Sequence, residues 1–110
     1  MFLTALLLSA AAQATTPAAE GQVVQGATER SVQEFSRCFA NTQERQARPW
    51  WMVPNSGGGA RISNAGAEGV SNPYRIRFTA GEQRNEVQLF LTRRDPAEET
   101  KLVEAVRSCW

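Results

Sequence analysis

The chain is predicted to fold as an α+β domain. A four-stranded antiparallel sheet carries an N-terminal and a C-terminal helix on one face, and a disulfide ties the helices together. Three observations predict it. Ser31 and Asp95 each carry a helix-start signal and open an apolar stripe of helical period. Between them lie segments that alternate apolar and polar residues with a period of two. The two cysteines, Cys38 and Cys109, fall one on each helical stripe.

The chain opens on MFLTALLL, an uncharged apolar run, followed by small residues and then Ala12-Gln13-Ala14. The A-x-A form is what a secretory signal peptidase cuts. Residues 1–14 are therefore expected to be a signal peptide, and the protein to be exported, periplasmic or secreted. Thr4, Ser9 and Gln13 interrupt the run, and a membrane span needs roughly twenty apolar residues. No stable membrane insertion is expected after cleavage. Residues 15–28 are rich in Ala, Gln, Gly and Thr without a clear period, and read as a flexible leader. The folded domain is expected over 29–110.

The first helix is expected over about residues 29–45. Ser31 and Glu34 have the S-x-x-E spacing of a reciprocal capping box. Val32, Phe35, Cys38, Phe39 and Thr42 then share one face. Pro49 bars the helix from continuing.

Trp50 to Val53 reads as a short strand ended by Pro54, and Asn55-Ser56-Gly57-Gly58-Gly59 as a turn. Ala60 to Asn64 is the returning strand. Adjacent residues of a strand point to opposite faces, so one of Trp50 and Trp51 is expected in the core and the other on the open face or at an edge. Ala65 to Pro73, rich in Gly, Asn and Ser, reads as a loop.

Tyr74, Ile76 and Phe78 share one face of the next strand, and Arg75, Arg77 and Thr79 the other. Val87, Leu89 and Leu91 alternate in the same way. A two-residue turn within Ala80-Gly81-Glu82-Gln83 would set Tyr74 opposite Leu89, Ile76 opposite Val87 and Arg77 opposite Glu86. Phe90 then lies on the open face, exposed among Arg75, Arg77, Glu86 and Gln88. The last helix starts at Asp95 as N-cap with Pro96 at its first position, and its stripe is Leu102, Val103, Val106 and Cys109.

In an exported chain, two cysteines read as one disulfide. A Cys38–Cys109 bond closes a loop of about seventy residues, worth roughly 4 kcal/mol in the chain-entropy account. That is a large share of the stability of a domain this small.

Composition bounds function by exclusion. The chain has 110 residues, 12 basic against 11 acidic, for a net charge of +1. Such a balance lacks the field that recruits nucleic acid, and no nucleic-acid partner is expected. There is no histidine, so the usual general base and the commonest metal ligand are missing. No catalytic constellation, metal or cofactor is expected. The leading reading is a non-catalytic exported domain that binds a protein or envelope component, an inhibitor-like module being one version. Its candidate binding residues are Trp50, Trp51, Arg61, Arg75, Arg77 and Phe90. The alternative is a small-ligand or hydrolytic domain built on the Gly57–Arg61 turn with neighbouring Arg and Glu residues, in which successive glycine amides cradle an anion.

Overall fold

A computed structural model describes residues 21–65 and 73–110. The expected signal peptide lies outside the described residues, as does most of the loop expected between Ala65 and Pro73. The described chain is α+β, with a five-stranded antiparallel sheet and two helices. Its elements run β1 (Gln22–Thr28), α1 (Val32–Arg45), β2 (Trp51–Pro54), β3 (Ala60–Ser63), β4 (Tyr74–Thr79), β5 (Asn85–Leu91) and α2 (Pro96–Cys109). In space the strand order is β1-β5-β4-β3-β2. The chain starts the sheet at one edge and passes through α1 to the other edge. It then returns as a meander that ends beside its first strand.

Both helices carry the start signals expected of them, and α1 begins at Val32 rather than near residue 29. The Ser31 hydroxyl accepts from the Glu34 amide at 3.1 Å, and the Glu34 carboxylate accepts from the Ser31 amide at 2.8 Å. The bond from the Ser31 amide holds the Glu34 carboxyl below its ordinary pKa, with the Ser31 side chain adding a smaller pull in the same direction. Asp95 accepts from the Ala97 amide at 3.1 Å, with Pro96 in the first turn. At the end of α1 the Gln43 carbonyl accepts from the amides of Gln46 and Arg48, and Ala47 takes a left-handed conformation with φ of 55°.

The core lies between the helices and one face of the sheet. Phe35 and Phe39 of α1 meet Ile62, Tyr74, Ile76, Phe78, Val87 and Leu89 of the strands, and Leu102 and Val106 of α2 complete it. Phe35 packs on Phe78 with ring centroids 5.5 Å apart, and Phe39 meets Tyr74 edge-on at 5.7 Å. The Tyr74 hydroxyl donates to the Pro49 carbonyl at 3.1 Å. Cys38 and Cys109 are bonded, with Cα atoms 5.6 Å apart, so the expected tie between the helices is present. An Arg48–Glu98 ion pair links the end of α1 to the start of α2.

The strand count is corrected from four to five. The fifth strand is β1, which falls in the segment expected to be a leader. It escapes a periodicity reading for two reasons. Its register with β5 is irregular between Gln22 and Val24, so Val23 and Val24 break the alternation. Gly26 sits at its centre, where glycine ordinarily weakens a strand. Here the glycine has a packing role: a Cβ at Gly26 would stand 2.5 Å from two ring atoms of Trp110, which packs against the edge of the core.

The β4–β5 register is also corrected, by one full pleat. Tyr74 faces Leu91, Ile76 faces Leu89 and Arg77 faces Gln88. The faces stay as expected, because a slip of one pleat preserves them. The cause is a wider loop over 80–84. The Asn85 side chain closes it, accepting from the Gly81 amide at 3.1 Å and donating to the Arg30 carbonyl at 2.8 Å.

Candidate binding face

The sheet face turned away from the helices is assembled by the register of four strands. Trp51 stands opposite Ser63, and Val53 opposite Arg61. Arg61 stands opposite Arg77, and Ser63 opposite Arg75. Arg75 stands opposite Phe90, and Arg77 opposite Gln88. One row therefore reads Trp51, Ser63, Arg75, Phe90, and the next reads Val53, Arg61, Arg77, Gln88. Of the six candidate residues, five lie on this face; Trp50 does not.

Trp50 precedes β2, half-buried and outside the apolar core. The expectation that one of the two tryptophans enters the core is thus corrected. The strand they introduce is a sheet edge, and all four of its residues are exposed. Trp51 is 47% exposed and Val53 49%, both on the outer face. Met52, on the helix side of the same strand, is exposed as well.

Phe90 is on the expected face, but its expected exposure is corrected. It is only 4% exposed. The guanidinium of Arg75 lies 4.4 Å from its ring centroid and that of Arg77 lies 5.5 Å away. The negative face of the ring attracts both cations. On its other flank β1 supplies Gln22 as cross-strand neighbour. Phe90 is thus a floor under two arginines.

The Asn55–Gly59 turn is a three-residue hairpin loop. The Asn55 amide donates to the Gly59 carbonyl at 2.8 Å, and the Gly58 amide donates to the Asn55 carbonyl at 3.3 Å. Gly58 is left-handed, with φ of 92°. Gly59 lies so close to the Phe78 carbonyl that any Cβ there would overlap it. The Gly58 amide is spent inside the turn, so it is not presented to an anion.

Between this turn and the end of β4 lies a cleft of about 570 Å³, lined in part by Asn55, Arg61, Arg75, Arg77 and Thr79. Among the described residues no carboxylate lines it. Glu86, expected opposite Arg77, stands opposite Thr79 and takes a hydrogen bond from Gln25 of β1. Among the described residues the salt bridges join Arg48 to Glu98 and Arg94 to Glu99, and none involves the cleft arginines.

Two features of the site are invisible to composition and motif reading. One is the opposition of Arg61 and Arg77, which depends on the β3–β4 register across the intervening loop. The other is the exposure of Met52 and Val53, which follows from β2 being an edge. The Pro54 stop and the hydrophobic Trp50–Val53 run carry a partial signal for the second, since proline marks edge strands.

No described helix is long and apolar enough to cross a membrane. No group of three or more His, Cys, Asp or Glu residues suited to holding a metal ion occurs among the described residues. Comparison with protein-family models, with curated proteins and with solved structures finds no match.

Proposed function

We propose that this is an exported, non-catalytic domain that binds another exported protein or an envelope component through the outer face of β2, β3 and β4. One observation carries the reading: exposed Trp51 and Val53 stand beside three arginines that have no acidic partner in the described chain. An aromatic anchor with arginine neighbours is the composition of an interaction surface. Export is supported by the signal-like start and by a disulfide, a bond that persists in oxidising compartments. An inhibitor of a secreted enzyme is one form such a module takes.

The non-catalytic part of the reading rests on the chemistry of the cleft. Among the described residues its charged lining is arginine, which donates hydrogen bonds and accepts none. Thr79 offers a hydroxyl there, with no base among the described lining residues to activate it. The cleft can hold and orient a ligand, which keeps small-ligand binding as the second reading. The hydrolytic version needs a carboxylate, and none is among the described lining residues.

The test is a capture experiment. Mature protein, immobilised, is exposed to envelope extract beside a Trp51→Ala variant, and retained proteins are identified by mass spectrometry. A protein held by the wild type and lost from the variant is the expected outcome. Identical retention by both shows that the outer face is not the working surface.

A further inference from the structure

The arginine arrangement in the cleft breaks a rule of sheet construction. Like charges directly opposite on neighbouring antiparallel strands are destabilising, because their Cβ atoms lie only about 5 Å apart. Arg61 and Arg77 are such a pair. Arg75, on the same face of β4, adds a third cation one pleat away. Nearby Glu86 is engaged with Gln25, and no described lining residue is acidic. Phe90 holds the Arg75 guanidinium, and more loosely that of Arg77, so these side chains are already partly ordered before anything binds. Pre-ordering reduces the entropy lost on binding.

From this we infer that the cleft lined by Arg61, Arg75 and Arg77 is a binding site for a ligand carrying two phosphoryl groups. The inference deepens the reading of the outer face as the working surface and rests on it. Three fixed positive charges call for more than one carboxylate supplies. A phosphate monoester brings about −1.5 to −2 charges at neutral pH and three acceptor oxygens. Arginine matches those oxygens with paired N–H donors. Two such groups neutralise three arginines. The volume, about 570 Å³, is in the range of ordinary small-ligand sites. Asn55 and Thr79 line the same cleft and can orient the ligand by neutral hydrogen bonds.

Isothermal titration calorimetry at low salt tests the site, with inorganic phosphate and pyrophosphate as probes. Pyrophosphate should bind at least tenfold more tightly than phosphate. Arg61→Gln and Arg77→Gln should each weaken it tenfold or more, and Arg107→Gln, on exposed α2 surface, should not. Pyrophosphate should also raise the thermal midpoint of the wild type and leave that of Arg61→Gln unmoved. No binding heat, or equal affinity in the wild type and both cleft variants, overturns the inference. Where pyrophosphate binds, phosphatidylcholine vesicles with and without diacylglycerol pyrophosphate, a lipid with two phosphoryl groups, identify the source. Retention only with the pyrophosphate lipid, released by free pyrophosphate, assigns a lipid headgroup; no retention assigns a soluble ligand. Failure here with a Trp51-dependent partner still captured sinks the phosphoryl site and leaves the binding reading standing.

Discussion

Arg75 and Phe90 face each other across β4 and β5, and the guanidinium lies 4.4 Å from the ring centroid. An aromatic side chain on the face away from the helices is thereby as buried as a core residue. The lid is made of cations that water solvates on their outer side, so the burial leaves their charge available. The pair couples the stability of the sheet to the posture of the cleft.

Phe90→Ala should therefore be costly. Truncating a buried Phe usually loses 3–5 kcal/mol; here the arginine stems can settle into part of the space, and a loss of about 2–3 kcal/mol is expected. Urea unfolding of the variant measures it. A loss below about 1 kcal/mol would show that the ring is solvated in solution.

Replacing Cys38 and Cys109 together by Ser should lower stability by roughly 2–5 kcal/mol, as for other small secreted domains. Cys109 is fully buried, so part of the loss comes from setting a hydroxyl in its place. Thiol titration of denatured, unreduced protein should find no free thiol. Two free thiols contradict the bond.

Burial pushes the Tyr74 phenol well above its ordinary pKa of about 10, against a smaller opposing pull from Arg48. The folded state thus keeps a proton that the unfolded state releases. The associated stability is complete below pH 10 and declines as pH rises above it. The urea midpoint should fall from pH 9 to pH 11.5, and Tyr74→Phe should flatten that part of the decline. Tyr74 is the sole tyrosine, so its absorbance titration is unambiguous in assignment. The variant should also lose about 1 kcal/mol at neutral pH with the hydrogen bond to Pro49. A slope unchanged in the variant would refute the assignment.

Ala47→Gly should stabilise the protein. At φ of 55° a Cβ is strained, by about 1–2 kcal/mol for an L-residue. Glycine removes that strain but gains freedom in the unfolded chain. The net expectation is a rise of about 0.5 kcal/mol, read as a higher thermal midpoint. A lower midpoint would show that the left-handed turn is not populated.

What was legible in the sequence was whatever local geometry determines. Ser31 with Glu34, and Asp95 with Pro96, mark helix starts through contacts within one turn. Alternation in Tyr74–Thr79 assigns faces without knowledge of a partner strand. The disulfide follows because both cysteines lie on core-facing stripes. What failed to be legible depends on neighbours distant in sequence. β1 is a strand because β5 pairs with it and Trp110 covers Gly26. The β4–β5 register is decided by the Asn85 side chain reaching both Gly81 and Arg30. Phe90 is buried by the orientation of two arginine side chains, which no period encodes. The candidate site is half legible: Arg61, Arg75 and Arg77 stand out by residue type, while the opposition of Arg61 and Arg77 depends on the β3–β4 register.

The placement of β1 beside β5 has a consequence in time. Contacts between these strands span sequence separations of 61 and 66, whereas the β2–β5 meander pairs strands that follow one another. Closing a long loop must precede any gain from such distant pairing, and this slows folding. The meander and α2 can assemble first, with β1 added as the final strand. Mutations at Val24 should then speed unfolding and leave the refolding rate nearly untouched, whereas mutations at Ile76 should slow refolding. Until β1 arrives, β5 is itself an open edge. The interval before it is covered is when a refolding chain is most prone to pair with another.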